Sequence, residues 1–139
     1  MAIDLSEEWQ QAITDAFVDG FPIVWASTGA DGQANLNFFG TTQALNNHQI
    51  ALWMRTPERG FLKRIGENPQ VAMLFRNPKT RLSLHIHGEA HHVDDPAIKQ
   101  QVWENSAEVE RNADPEMKGT AVIVDVVRVI QRGQVVMER

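Results

Sequence analysis

Two groups of residues in this chain are of types that do chemistry. The first is a run of cations. Arg55, Arg59, Lys63, Arg64, Arg76, Lys79 and Arg81 are opposed only by Glu58 and Glu67, a local charge of +5. Elsewhere six basic residues face sixteen acidic ones, so the total of −5 hides one basic segment inside an acidic protein. Thr56-Pro57-Glu58-Arg59 reads as a helix start, with Thr56 as N-cap and Pro57 in the first helical position. On the helix it opens, Phe61, Leu62 and Ile65 form an apolar stripe, while Arg59 and Lys63, four apart, project from another face. Free backbone N–H groups at a helix start, with two cations beside them, are the ingredients of a phosphate site. Arg55, ending the preceding strand, offers a third cation. That footprint suits a small phosphorylated molecule. Neither nucleic acid nor a membrane surface is an expected partner, because the acidic remainder would repel both.

The second group is His85, His87, His91 and His92. On an unbroken strand the first three share one side and His92 takes the other, with Gly88 as a place where a bulge would shift the register. No carboxylate accompanies them at ligand spacing, so no metal site is expected, and packed or cleft-lining histidines are the reading. The chain has no Cys and no Tyr, which removes thiolate nucleophiles, Cys-ligated metals, disulfides and phenolic acids. Ser27, Ser83 and Ser106 lack a Gly-x-Ser-x-Gly setting. No residue stands out as a catalytic acid or base, and the catalytic residues stay unassigned.

The elements that position these groups follow from periodicity. Asp4 or Ser6 can cap a first helix in which Leu5, Trp9, Ile13 and Phe17 recur at helical spacing up to Gly20. Strands are expected over 22–28 and 33–39, joined by Gly29-Ala30-Asp31-Gly32. The second carries Ala34, Leu36 and Phe38 on one face and Asn35 and Asn37 on the other. Further strands fall at 49–54, 70–75, 81–93, 121–130 and 134–137. The basic helix lies between the third and fourth, and a second long helix starts at Asp94-Asp95-Pro96 with Ile98, Val102 and Trp103 inward. Residues 111–118 read as a polar loop. Trp9, Trp25, Trp53 and Trp103 sit in apolar patterns and read as packing residues. About seven strands and three helices, not in strict alternation, make an α+β, mainly β, antiparallel barrel. At 139 residues the chain forms one domain, 1–139. Over 121–130, Val122, Val124 and Val126 share one face while Ile123, Val127 and Val129 share the other. Both faces are therefore expected to be covered, by a helix or by a second subunit. The acidic start and the lack of a long apolar run point to a cytoplasmic protein.

The order of these pieces resembles the pyridoxamine 5′-phosphate oxidase-like superfamily, the FMN-binding split barrels. The matching residues are Gly29-Ala30-Asp31-Gly32-Gln33-Ala34, then Leu52-Trp53-Met54-Arg55-Thr56-Pro57, then Arg59 and Lys63. They continue through Ile65-Gly66-Glu67-Asn68-Pro69-Gln70-Val71-Ala72, Leu84-His85-Ile86-His87-Gly88-Glu89-Ala90 and Val124-Asp125-Val126-Val127-Arg128-Val129-Ile130. The resemblance implies a six- to seven-stranded Greek-key split barrel with two or three flanking helices, acting as a homodimer with FMN between subunits. The cofactor phosphate would lie on Thr56, Arg59 and Lys63, and its ring along Asn37, Met54 and Arg55. Where the family commonly has Ser-Arg-Lys, this chain has Arg59-Gly60-Phe61, and the longer C-terminal part that binds pyridoxamine phosphate has no counterpart here. The expectation is a flavin-dependent oxidoreductase transferring hydride to an unidentified small molecule, with a deazaflavin coenzyme as an alternative cofactor. A non-enzymatic carrier or sensor of flavin or haem is the alternative function.

Overall fold

The structure, a computed structural model, describes residues 2–139. Helix α1 (Glu7–Asp15) is capped by Ser6, whose hydroxyl accepts from the Trp9 N–H at 3.1 Å. Then come β1 (Val24–Thr28), β2 (Ala34–Phe38), β3 (Gln43–Ala44), β4 (Gln49–Met54), α2 (Phe61–Glu67), β5 (Gln70–Asn77) and β6 (Leu82–Val93). The chain closes with α3 (Pro96–Glu104), α4 (Glu108–Ala113), β7 (Thr120–Gln131) and β8 (Gln134–Glu138). The strands form one curled antiparallel sheet in the order β2-β1-β5-β6-β7-β4-β3, with β8 added to β7. It is a split barrel, as expected, with one more strand and one more helix than the seven and three read from the sequence.

The extra strand is the two-residue β3, too short to carry a periodicity. The extra helix, α4, corrects the polar-loop reading over 111–113, while 114–118 lie outside any helix or strand. It has no side-chain cap and no buried residue, so neither propensity nor pattern marks it. Arg111 holds it instead, donating to the carbonyl oxygens of Glu104, at 3.1 Å, and Ser106.

Inside the curl, Trp25, Ile50, Leu52, Met73, Leu84, Ile86, Val122 and Val124 are buried from five strands. A second, smaller core lies on the outer side of β4 and β7. There Ala51, Trp53, Ala121 and Ile123 pack against Val102, with Ile98 and Trp103 beside it on α3. Over this half the inner apolar face of β7 is thus covered by the main core and its outer face by a helix of the same chain.

Further along, β7 carries a bulge. Val126 pairs with Gly88 and Arg128 with His87, which leaves Val127 unmatched and turns Val129 into the main core. Val129 therefore leaves the outer set to which strict alternation assigned it. Gly88 permits this crossing, since a Cβ there would lie 2.3 Å from Val124 Cγ1 and 2.8 Å from the Asp125 carbonyl oxygen.

The outer side of β2-β1-β5-β6-β7 is different. Register aligns Phe38, Val24, Leu74, His85 and Ile130 in one row, and Leu36, Ala26, Ala72, His87 and Arg128 in the next. Leu36 is 72% exposed and Phe38 69%. The apolar face of β2 thus points away from the core, and its Asn35–Asn37 side takes the inward parity of Trp25.

Candidate functional site

A cleft opens where the loop after β2, the end of β4 and the start of α2 meet. Its volume is about 250 Å³, and its lining includes Asn37, Phe38, Met54, Arg55, Thr56, Arg59 and Arg64. Five of the six residues expected to hold a cofactor, Asn37, Met54, Arg55, Thr56 and Arg59, come together there. The sixth, Lys63, does not. It lines a neighbouring groove with Asp31, Asn35 and Glu67.

The displacement of Lys63 follows from where α2 begins, which corrects the expected helix start. Thr56 and Pro57 open a turn instead, closed by Arg59 N–H on the Thr56 carbonyl oxygen at 3.1 Å. Pro at the second position of such a turn needs no N–H, so the same dipeptide serves a turn as well as a helix start. Gly60 follows with φ of +90°, a left-handed step that glycine takes without strain, and the helix starts only at Phe61. Arg59 thus lies off the helix, and its four-residue spacing from Lys63 has no helical meaning. The helix has only seven residues and its N-cap, Gly60, lines the neighbouring groove, so the positive charge of this cleft comes from its cations.

Arg64 is the residue that sequence reasoning missed. Its Nε donates to the buried Ser27 hydroxyl at 2.8 Å and its Nη2 to Asn37 Oδ1 at 3.2 Å. Both acceptors are neutral, so the side chain is held in place without loss of charge. Arg55 at the end of β4 meets Glu110 of α4, with Nε to Oε2 at 3.4 Å. Among the described residues no carboxylate pairs with Arg59 or Arg64. Three guanidinium groups from a strand end, a turn and a helix therefore reach one cleft. Guanidinium is always charged and forks onto phosphate oxygens, so the donor set fits a phosphate group. No histidine lines the cleft, and its single carboxylate, Glu110, is engaged by Arg55.

The floor is fixed from behind. Buried Thr41 donates to the Trp53 carbonyl oxygen at 2.6 Å and accepts the Trp53 N–H at 3.0 Å. Asp114, after α4, accepts from Trp53 Nε1 at 2.8 Å and from the amides of Lys118 and Gly119 at 2.9 Å each. Burial works against its ionisation. The two amide hydrogen bonds, the indole and the Arg55 charge outweigh burial and hold the carboxyl below its ordinary value. Asp114 thus ties the strand that carries Arg55 to the loop leading into β7.

The histidines lie elsewhere. His85 and His87 are neighbours on the outer rows of β6, and exposed His91 and His92 approach Asp125 at 3.7 Å and Asp94 at 3.4 Å. No three metal-ligating side chains gather among the described residues.

Comparison with known proteins agrees with this architecture. No curated protein sequence matches the chain. Among solved structures, HupZ of Group A Streptococcus superposes with a TM-score of 0.70 at 14% identity, over 93% of this chain and 97% of that one. An FMN-binding protein from Syntrophomonas wolfei gives 0.64 at 8% identity, over 88% and 85%. An F420 reductase gives 0.65 at 19%, over 91% and 98%. At these identities they speak for the fold. No helix among the described residues is long and apolar enough to cross a membrane. The sequence itself matches the model of the pyridoxamine 5′-phosphate oxidase family over residues 11–132, and the chain belongs to that family.

Proposed function

We propose that the chain binds FMN in this cleft and works as a flavin-dependent oxidoreductase, as a homodimer. The observation that carries the reading is the convergence of Arg55, Arg59 and Arg64 in a chain whose net charge is −5. Arg59 and Arg64 would hold the phosphate, with Arg55 and Thr56 beside them. Asn37 and the backbone about Met54 would face the rest of the cofactor. Lys63 is left out of this set. When bound, the flavin supplies hydride transfer, and the protein supplies position, charge and exclusion of water. With no free acid or base in the cleft, a substrate proton would come from solvent. A deazaflavin coenzyme also carries phosphate and would meet the same guanidinium groups.

The dimer is inferred from the same region. About 250 Å³ is below the usual size of a small-molecule site, so one chain supplies only part of the enclosure. Phe38 lies on the cleft rim and also in the outer apolar row with Val24 and Leu74. A second copy laid on Leu36, Phe38 and Leu74 would bury them and wall the cleft at once.

The absorbance spectrum of the purified protein tests the reading. A flavin spectrum, or a rise in melting temperature on adding FMN, is expected. A Soret band would point to haem, and no response to either cofactor would remove the proposal. Reduction of the bound flavin by NAD(P)H separates an enzyme from a carrier.

A further inference from the structure

The cleft leaves one cluster of titratable side chains unused, the pair His85 and His87 on the outer face. Their Nε2 atoms lie 3.2 Å apart, with the rings perpendicular and 4.6 Å between centroids. Arg128 Nη1 lies 3.2 Å from His87 Nδ1. A guanidinium only donates, so His87 accepts at Nδ1 and, when neutral, carries its proton on Nε2. That proton points at His85 Nε2, and His85 keeps its own on Nδ1. The chain of donors runs from Arg128 through His87 to His85, and it exists only while both rings are neutral. One added proton on His85 sets two N–H groups face to face. One added on His87 sets its Nδ1–H against the guanidinium.

Among the described residues, no carboxylate pairs with His85 or His87. On β5 the facing residues are Ala72 and Leu74, with the cation Arg76 next along the strand, and β7 presents Arg128 and Ile130. The nearby carboxylates are already committed. Glu138 of β8 binds Arg128, Glu89 binds Arg139 at 3.1 Å, and Asp125 accepts from Gln49 at 2.9 Å. Burial first, then His85, then Arg128 lower the His87 pKa below its ordinary 6.5.

Resting on the dimer reading above, we propose that this pair makes self-association of the outer face sensitive to pH. The face accepts a second copy while His85 and His87 are neutral and releases it when they take up protons. Covering an imidazolium without a counter-charge is costly, so the associated form excludes protons that the free form binds. The sign follows. Association is complete above the ordinary 6.5 of His87 and weakens as the pH falls through its lowered value.

Sedimentation equilibrium at about pH 8 and about pH 5.5 tests this, with circular dichroism at each pH to report that the fold is intact. The dimer dissociation constant is expected to rise about tenfold or more on acidification. The double variant H85Q/H87Q should associate with the same constant at both. Arg128→Gln removes the neighbouring cation, so its transition should move to higher pH. A wild-type dimer indifferent to pH would overturn the switch and leave the dimer standing, as would a dependence that survives in H85Q/H87Q. A chain monomeric at both pH values would remove the dimer reading and this one together.

Discussion

The outer side of this curled sheet exists in two versions. Over β4 and β7 it is roofed by α3, and Ile123 is 4% exposed and Val102 fully buried. Over β2, β1 and β5 it has no roof, and Leu36, Phe38 and Leu74 are 72%, 69% and 50% exposed. Both halves present apolar side chains from paired antiparallel strands. What differs is whether the chain brings its own cover. Each large apolar side chain left uncovered forgoes about 1.5–3 kcal/mol of burial, so the bare half is where a second molecule gains most. The cleft with its three arginines opens at the edge of that half.

Substitutions test the contrast. The largest effect is expected from Ile123→Ala under the roof, a loss of about 2–5 kcal/mol in chemical denaturation from the cavity left against α3. Asp114→Asn comes next. It replaces one carboxylate oxygen by an NH2, which faces either the Lys118 amide or the Trp53 indole and Gly119 amide, and about 1–3 kcal/mol should go. That loss has a pH signature. The Asp114 pKa is lowered in the fold, so its contribution is intact above the ordinary 3.8 and disappears as the pH falls through the lowered value. The wild-type advantage over Asp114→Asn should therefore shrink in acid, and a constant difference across pH would refute the carboxylate's role. The smallest effect on folding is expected at Leu36→Asp, within about 0.5 kcal/mol for the isolated chain, yet the same change should abolish dimers in sedimentation. Equal folding losses at Ile123 and Leu36 would erase the contrast between the two halves.

The sequence made much of this legible where a local signal had one structural meaning. Ser6 caps α1, Gly29 to Gly32 makes the first hairpin, and Asp95-Pro96 opens α3. Five of the six expected cofactor residues reach one cleft because the ends of β2 and β4 fall where periodicity puts them, and Thr56 and Arg59 follow directly on β4 whether a turn or a helix comes next. It failed where one signal had two meanings. Thr56-Pro57 begins a turn as readily as a helix, and only the left-handed Gly60 decides between them. That choice sets the phase of α2 and exchanges Lys63 for Arg64. α4 was invisible for another reason, since it is held by Arg111 reaching back to carbonyl oxygens and not by any pattern of its own. The apolar faces of β7 had two causes, a covering helix and a bulge at Val127, and alternation alone separates neither from a subunit contact.

The claim that this cleft holds a phosphate-bearing flavin meets its most direct test in paired titrations with FMN and riboflavin. Fluorescence quenching would be followed for the wild type, for R59A/R64A and for Lys63→Ala. R59A/R64A is expected to lose FMN affinity by about tenfold or more while riboflavin binding barely changes, and Lys63→Ala is expected to leave both near wild type. Equal losses for the two ligands in R59A/R64A, or an FMN-specific loss in Lys63→Ala alone, would contradict it.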